Sequence, residues 1–344
     1  MKYNISLKGK ALYTFDNGSI LWYHKLHFYI DNRLLCSIPS KKSLKIASRI
    51  RILSRLLRLE PRCIERLNNS QFVVCILHKL WLLDIDTSSI KVLAENRKGW
   101  SDPLNLCSDG EKVYWGDYGA NPNLDYVNIY SIDNTLSINV EYKFPVRHIR
   151  HIHNIIWDKH NSQFYIFTGD LEDTAGIYKA NSNWTDIIPI RTGSQQYRAV
   201  VGFATPKGLI YTTDAVDSKN NIYYLSHEGI RAISSFPGSC IYGTENDNYY
   251  FFSSTVEPKE GRGLLNLFDY RLGEGIKDYY SYIIAVRKAD LKVKEVCRFK
   301  KDIFPMKLFQ YGTVMFPKGQ LRNDLLAYIV ACGCDGNSIR FEDI

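Results

Sequence analysis

The chain has 344 residues, of which 45% are hydrophobic, 13% aromatic and 23% charged, with a formal net charge of +8. That balance excludes wholesale disorder, and no run reaches the roughly 18 apolar residues of a membrane-spanning helix. Alanine is scarce while β-branched and aromatic residues are common, which favours strands over helices.

The N-terminal stretch MKYNISLKGK has neither the apolar segment nor the small-residue cleavage site of a signal peptide. A cytoplasmic protein is therefore expected, with its cysteines reduced. Cys332 and Cys334, the one close pair, lack the two-residue spacer of a zinc knuckle or redox motif. Residues 2–7 form one candidate strand. Residues 10–39 hold further short strand-like runs, ALYTF, ILWYHK, LHFYID and RLLCSI.

Residues 40–61 read as a basic helical insertion. Ile46, Ile50, Leu53 and Leu57 follow a helical stripe, Ser43 is a suitable N-cap and Pro61 a stop. Between Lys41 and Arg66 stand nine basic and two acidic residues, a net of +7, so this segment carries nearly all of the chain's +8. The remainder is close to neutral and holds no nucleic-acid-binding motif, so no nucleic acid partner is expected. A basic amphipathic helix suits two settings. It can lie on an anionic membrane surface or acidic partner through residues 41–66, which would make the protein peripheral to the inner membrane. Or it can pack its apolar stripe on the flank of the fold and leave its basic face solvated.

A repeat governs the rest. Five segments share the pattern of short strand, polar turn and alternating strand; they begin at Trp81, Ile129, Ile177, Ile222 and Ile283, at spacings of 48, 48, 45 and 61 residues. Each follows another strand (FVVCILH, KVYWGD, QFYIFTGD, GLIYTTD, NYYFFSS), and four of these follow a further short one. Four consecutive strands per unit describe one blade of a β-propeller. A lone blade cannot bury both faces, so neighbours must stack. The longest spacing reflects an insertion, residues 253–282, whose Leu, Phe and Tyr content points to an ordered lid over the axial mouth. Residues 306–343 supply three last strands (MKLFQYGTVMF, LLAYIVACG, SIRFED), and residues 2–7 the fourth. The expected fold is all-β, a single β-propeller domain over residues 1–344. It has seven blades if 10–39 form their own, and six if the N-terminal piece only completes the last.

The third repeat contains GIYKANSNWTDI, with Ser182 and Trp184, and resembles a degenerate Asp-box, the Ser-x-Asp-x-Gly-x-Thr-Trp turn, without its Asp and Gly. Together with HIHN, TGD, GSQQYRAV and TTDA between His148 and Asn221, it resembles the sialidase-like, BNR-repeat propellers, some of which are linked to bacterial polysaccharides. The resemblance implies a propeller and a saccharide ligand. It does not extend to sialidase catalysis: in place of the Phe-Arg-Ile-Pro motif stands Cys36-Ser37-Ile38-Pro39, without the arginine.

Propeller topology gathers residues that are distant in sequence. Second strands ending in WGD, TGD and TTD put Asp117, Asp170 and Asp214 at equivalent positions. Innermost strands opening on the same face bring His151, His153, Gln195, Tyr197 and Arg198, with Tyr118 and Asn221 beside them. His151 and His153, two residues apart, share a strand face. Such a polar cluster is the default site. In an enzyme, hydrolase or lyase chemistry would use Asp117, Asp170 or Asp214 with His151 or His153 as acid and base. Gln195, Arg198, Tyr118, Tyr197 and Asn221 would hold the saccharide. Plainer roles stand beside these: Asp as a turn former, His as a satisfied strand residue, Arg198 in a salt bridge between blades. No cofactor is expected, although His151 and His153 with Gln195 or an Asp could hold a divalent metal. The other functional reading is a non-catalytic scaffold docked through the basic helix, because fold does not decide function.

Overall fold

Short runs rich in β-branched and aromatic residues, each closed by a polar turn, assemble into seven sheets, six of four strands and one of five. The chain is an all-β, seven-bladed propeller. The computed structural model describes residues 3–259, 261, 263–319, 323–342 and 344. Parts of the expected elements (residue 2 of the closing strand, residues 260 and 262 of the insertion, residues 320–322 and 343 near the C-terminus) lie outside the described residues.

In chain order, blades one to six span residues 10–37, 63–95, 107–144, 151–192, 199–236 and 240–300. Blade seven takes Thr313–Met315, Leu325–Val330 and Ser338–Phe341, and Tyr3–Leu7 completes it by pairing antiparallel with Ser338–Phe341. Blade one carries an unexpected fifth strand, Lys318–Gly319, parallel to Lys10–Thr14. The chain divides into two compact units: Met1–Glu60, Asp214–Tyr223 and Arg231–Ile344 in one, Pro61–Thr213 and Tyr224–Ile230 in the other.

Within most blades the second strand is largely buried and the outermost is half-exposed. His151–Asp158 is buried at all but one position, whereas Ile138–Phe144 is largely exposed. Between blades three and four, Phe164 stacks on Trp184 at 4.5 Å and meets Tyr114 edge-on at 4.8 Å. Trp184 comes from the turn after Gly176–Asn181, where it adopts a positive φ of 60° and is buried. Each such ring contributes on the order of 3 kcal/mol by leaving water. A one-residue bulge recurs near the start of the innermost strand, at Leu12, His153, Val200 and Ile241 in blades one, four, five and six.

The basic segment differs from expectation. It forms two short helices, α1 (Lys42–Arg49) and α2 (Arg51–Leu56), broken at Ile50, which is extended at φ −105° and ψ 109°. Lys41, not Ser43, occupies the N-cap position. The apolar stripe faces solvent: Ile46 is 60% exposed, and Ile50 and Leu57 nearly half, while Ala47, Ser48, Ser54 and Arg55 are buried. Two arginines explain the inversion. Arg55, only 2% exposed, meets Asp302 at 2.5 Å and Asp335 at 3.3 Å and donates to the Phe309 carbonyl at 2.8 Å. Arg51 pairs with Asp335 at 2.7 Å and with Glu60. Charges taken from water demand partners, and these partners pull the opposite helix face inward.

Near the C-terminus, Met306–Phe309 is a turn of helix, α3, rather than the strand expected, beginning where Pro305 fixes the backbone. Residues 253–282 hold a 3-10 turn, Leu264–Phe268, and two isolated bridges, Val256 with Gly312 and Pro258 with Leu272. Backbone pairing orders this insertion; Leu264, Leu265 and Phe268 are exposed, Leu265 at 90%. All eight cysteines are thiols rather than disulfides. Among the described residues no helix is long and apolar enough to cross a membrane.

Candidate functional site

Blade four positions the site through its strand register. His151 lies opposite Gly169, Ile152 opposite Thr168, and Asn154 opposite Phe167, which leaves His153 as the bulged residue. A bulge re-aims a side chain relative to the flat ladder. Gly169 supplies the space, since a Cβ there would stand 2.3 Å from His153 Cε1 and 2.7 Å from its Nε2. The ring therefore lies against the second strand and reaches Asp170, the next residue.

His153 Nε2 is 3.0 Å and His151 Nε2 3.4 Å from Asp170 Oδ1. The two rings are 4.9 Å apart and nearly aligned, at 30°. His151 Nδ1 lies 2.6 Å from the Gly119 carbonyl, and His153 Nδ1 lies 2.9 Å from that of Ala199. A carbonyl oxygen can only accept, so each Nδ1 carries a proton and donates, and each Nε2 is the nitrogen presented to Asp170. Both histidines are 2% exposed.

Two guanidiniums complete the surround. Arg150 Nη1 is 3.5 Å from Asp170 Oδ2 and Arg198 Nη2 3.4 Å from Oδ1. The Asp170 carbonyl accepts from Gln195 Nε2 at 2.9 Å and from Arg198 Nη1 at 3.3 Å. Gln195 and Tyr197 belong to the 3-10 turn that leads into the innermost strand of blade five, with Tyr197 half-buried. The Tyr118 ring lies 4.7 Å from that of His151 and 6.2 Å from that of His153, and the Arg62 guanidinium stacks 5.0 Å from it. Burial alone would raise the Asp170 carboxyl. The imidazoles of His151 and His153 beside it overcome this and hold the group well below the usual carboxylate range.

Asp117 has different partners. It accepts from the Asn128 amide at 2.9 Å and Arg97 Nη1 at 3.0 Å. It lines a cavity of about 170 Å³ with Arg97, Trp100, Trp115 and Tyr130. Burial pushes its carboxyl up, against the lowering by Asn128 and Arg97. Asp214 is buried directly after the second strand of blade five and belongs to the other compact unit. Asn221, in that blade's third strand, donates to the Tyr223 hydroxyl at 3.2 Å.

Of the three carboxylates read as equivalent, Asp170 is the one set among the imidazoles. Arg150 was missed in sequence because it lies in the bend just before His151–Asp158, where no strand alternation sets its direction. The Gly119 and Ala199 carbonyls carry no side-chain signal at all. His151, His153 and Asp170 form the one group among the described residues whose ligand atoms suit a metal ion, all within 4.8 Å of one another.

No family model matches the chain, and no curated protein matches it in sequence. Among solved structures it is similar to the oligogalacturonate lyase of Vibrio parahaemolyticus, with a TM-score of 0.55 and 10% identity over 92% of this chain and 87% of that one. It is equally similar to a chain of the mitotic checkpoint complex, with a TM-score of 0.55 and 8% identity over 100% of this chain and 95% of that one. A third is hydrazine synthase of Kuenenia stuttgartiensis, at 0.50 and 17% identity over 79% and 74%. At these identities the likeness is one of fold.

Proposed function

We propose that the protein binds an acidic saccharide at the Asp170 site. The observation that carries this reading is the pairing of two guanidiniums, Arg150 and Arg198, around one part-exposed carboxylate, above two buried imidazoles and beside Tyr118. The planar guanidinium fork matches a carboxylate. Tyr118 and Tyr197 offer faces for sugar stacking, and Gln195 and Asp170 offer polar partners for hydroxyls. His153 with Asp170 is the pair that would move a proton in a hydrolase or lyase step. We read the turn around Trp184 as a degenerate Asp-box with a packing role, in keeping with a distant kinship to sialidase-like BNR propellers but without their chemistry. The fold shared with an oligogalacturonate lyase, whose name states an acidic sugar, supports the same ligand class. In this reading the protein works in the cytoplasm on a polysaccharide or its precursor.

Calorimetric titration with oligogalacturonate and with a neutral oligosaccharide of equal length tests the proposal. Binding of the acidic sugar alone is expected, weakened at least about tenfold in Arg198→Ala and Arg150→Ala. Equal binding of both sugars, or of neither, would remove it.

A second reading rests on the helical insertion and concerns an anionic membrane surface. Ile46, Ile50 and Leu57 are exposed and interleaved with exposed Lys41, Lys42, Lys45, Arg49 and Arg58. Next to α2 packs α3, and next to α3 the 3-10 turn with exposed Leu264 and Leu265. Apolar residues ringed by cations fit an anionic interface, where each Lys or Arg contributes about 1 kcal/mol. Co-sedimentation with phosphatidylserine vesicles at low salt, reversed by high salt and abolished in Ile46→Asp/Leu57→Asp, is the expected outcome. Equal sedimentation with neutral vesicles, or none, would sink it.

A further inference from the structure

We infer that His151, His153 and Asp170 form a binding site for a first-row divalent transition-metal ion. The inference uses the residues of the saccharide site but does not require a sugar. Only its corollary rests on that reading: the cation would add a positive centre for an acidic ligand.

The geometry is that of ligands around a common centre. Bonds of about 2.1 Å place neighbouring ligand atoms about 3.0 Å apart at a right angle and about 3.4 Å apart at the tetrahedral angle. The distances from Asp170 Oδ1 to His153 Nε2 and His151 Nε2 are 3.0 and 3.4 Å. The protonation pattern agrees. With Nδ1–H of each ring committed to the Gly119 and Ala199 carbonyls, Nε2 of each is the nitrogen left to ligate beside the carboxylate. Nε2 and the carboxylate at these distances call for a positive centre between them, which a proton or a metal ion supplies. A carbonyl holding the far nitrogen is also the usual outer support of a metal-bound histidine.

An independent observation is His151 Nε2 itself. It is buried and has no hydrogen-bond partner. A buried polar atom left so is costly, and a coordinated cation would satisfy it. Two imidazoles and one carboxylate suit zinc, manganese, iron or cobalt rather than calcium or magnesium. Three protein ligands leave positions for water or a ligand on the side where Asp170 is part-exposed. Arg150 and Arg198 spread positive charge over the same carboxylate. The site is therefore expected to release its ion to a chelator rather than hold it permanently.

Cobalt(II) added to chelator-treated, full-length protein, with no sugar present, is the test. One equivalent is expected to bind and develop visible d–d bands. His153→Ala and Asp170→Asn are expected to weaken binding about 100-fold or more, given that outer-shell changes alone cost 10–100-fold. His227→Ala, an exposed histidine, should leave it unchanged. A measurement on the unaltered chain guards against variants that misfold: zinc should shift the Nε2 resonances of two histidines in long-range proton–nitrogen spectra. No cobalt bands, bands that persist in both ligand variants, or Nε2 resonances unmoved by zinc would overturn the inference. Such failure would leave the sugar titrations standing, and failed sugar binding beside intact cobalt bands would do the reverse.

Discussion

A missing side chain decides the site at the scale of single residues. Gly169 lets the His153 ring lie against the neighbouring strand; an added methyl would stand 2.3 Å from Cε1. Gly169→Ala should destabilise the fold by about 1–3 kcal/mol through overpacking and abolish acidic-sugar binding. Chemical unfolding and calorimetry check both, and a variant with native stability and affinity would show that the ring has another route to Asp170. Asp170 itself should report on pH. Its folded pKa lies below the ordinary value, so it contributes stability above about pH 4 that is lost as pH falls further. The stability gap between the unaltered chain and Asp170→Asn should thus be widest at neutral pH and close in acid. A gap that is constant with pH would contradict the assignment. The residue types here were legible in sequence, since TGD and HIHN mark carboxylate and imidazoles on adjoining strand ends. The bulge at His153 and the two supporting carbonyls were not, because backbone geometry leaves no trace in residue type.

Among elements, the basic helices show where periodicity misleads. The stripe of Ile46, Ile50, Leu53 and Leu57 is a real pattern, yet most of it faces solvent because Arg51 and Arg55 find Glu60, Asp302 and Asp335. Two of those three partners lie more than 240 residues along the chain, so nothing local announces them. Arg55→Ala would remove one of two cations from each of Asp302 and Asp335, leaving Lys301 and Arg51, and should cost about 1.5–3 kcal/mol. Urea unfolding that moves by less than 1 kcal/mol would mean that water reaches the cluster after all. By contrast the blades were legible strand by strand, because alternation and turn residues act over a few positions. The five-residue helical run of the insertion and the two-residue strand Lys318–Gly319 carry too little pattern to read.

For the whole molecule, the decisive pairing is between Tyr3–Leu7 and Ser338–Phe341, with Tyr3 also packed on Phe299 and Phe341 at 5.7 and 5.6 Å. The strand count from residues 10–39 made seven blades readable, and closure followed from the three strands left over at the C-terminus. Removing residues 1–7 would bare the edge of the last blade, and exposed edges recruit other chains. A lower unfolding temperature and self-association in light scattering are expected; a truncated monomer of unchanged stability would show that this strand is dispensable. The same pairing sets Tyr3 directly across from Phe341. A few linking residues could therefore join Tyr3 to Phe341 and new ends could be opened at the exposed turn around His160 and Asn161, giving a circular permutant whose start point is a matter of choice rather than of architecture.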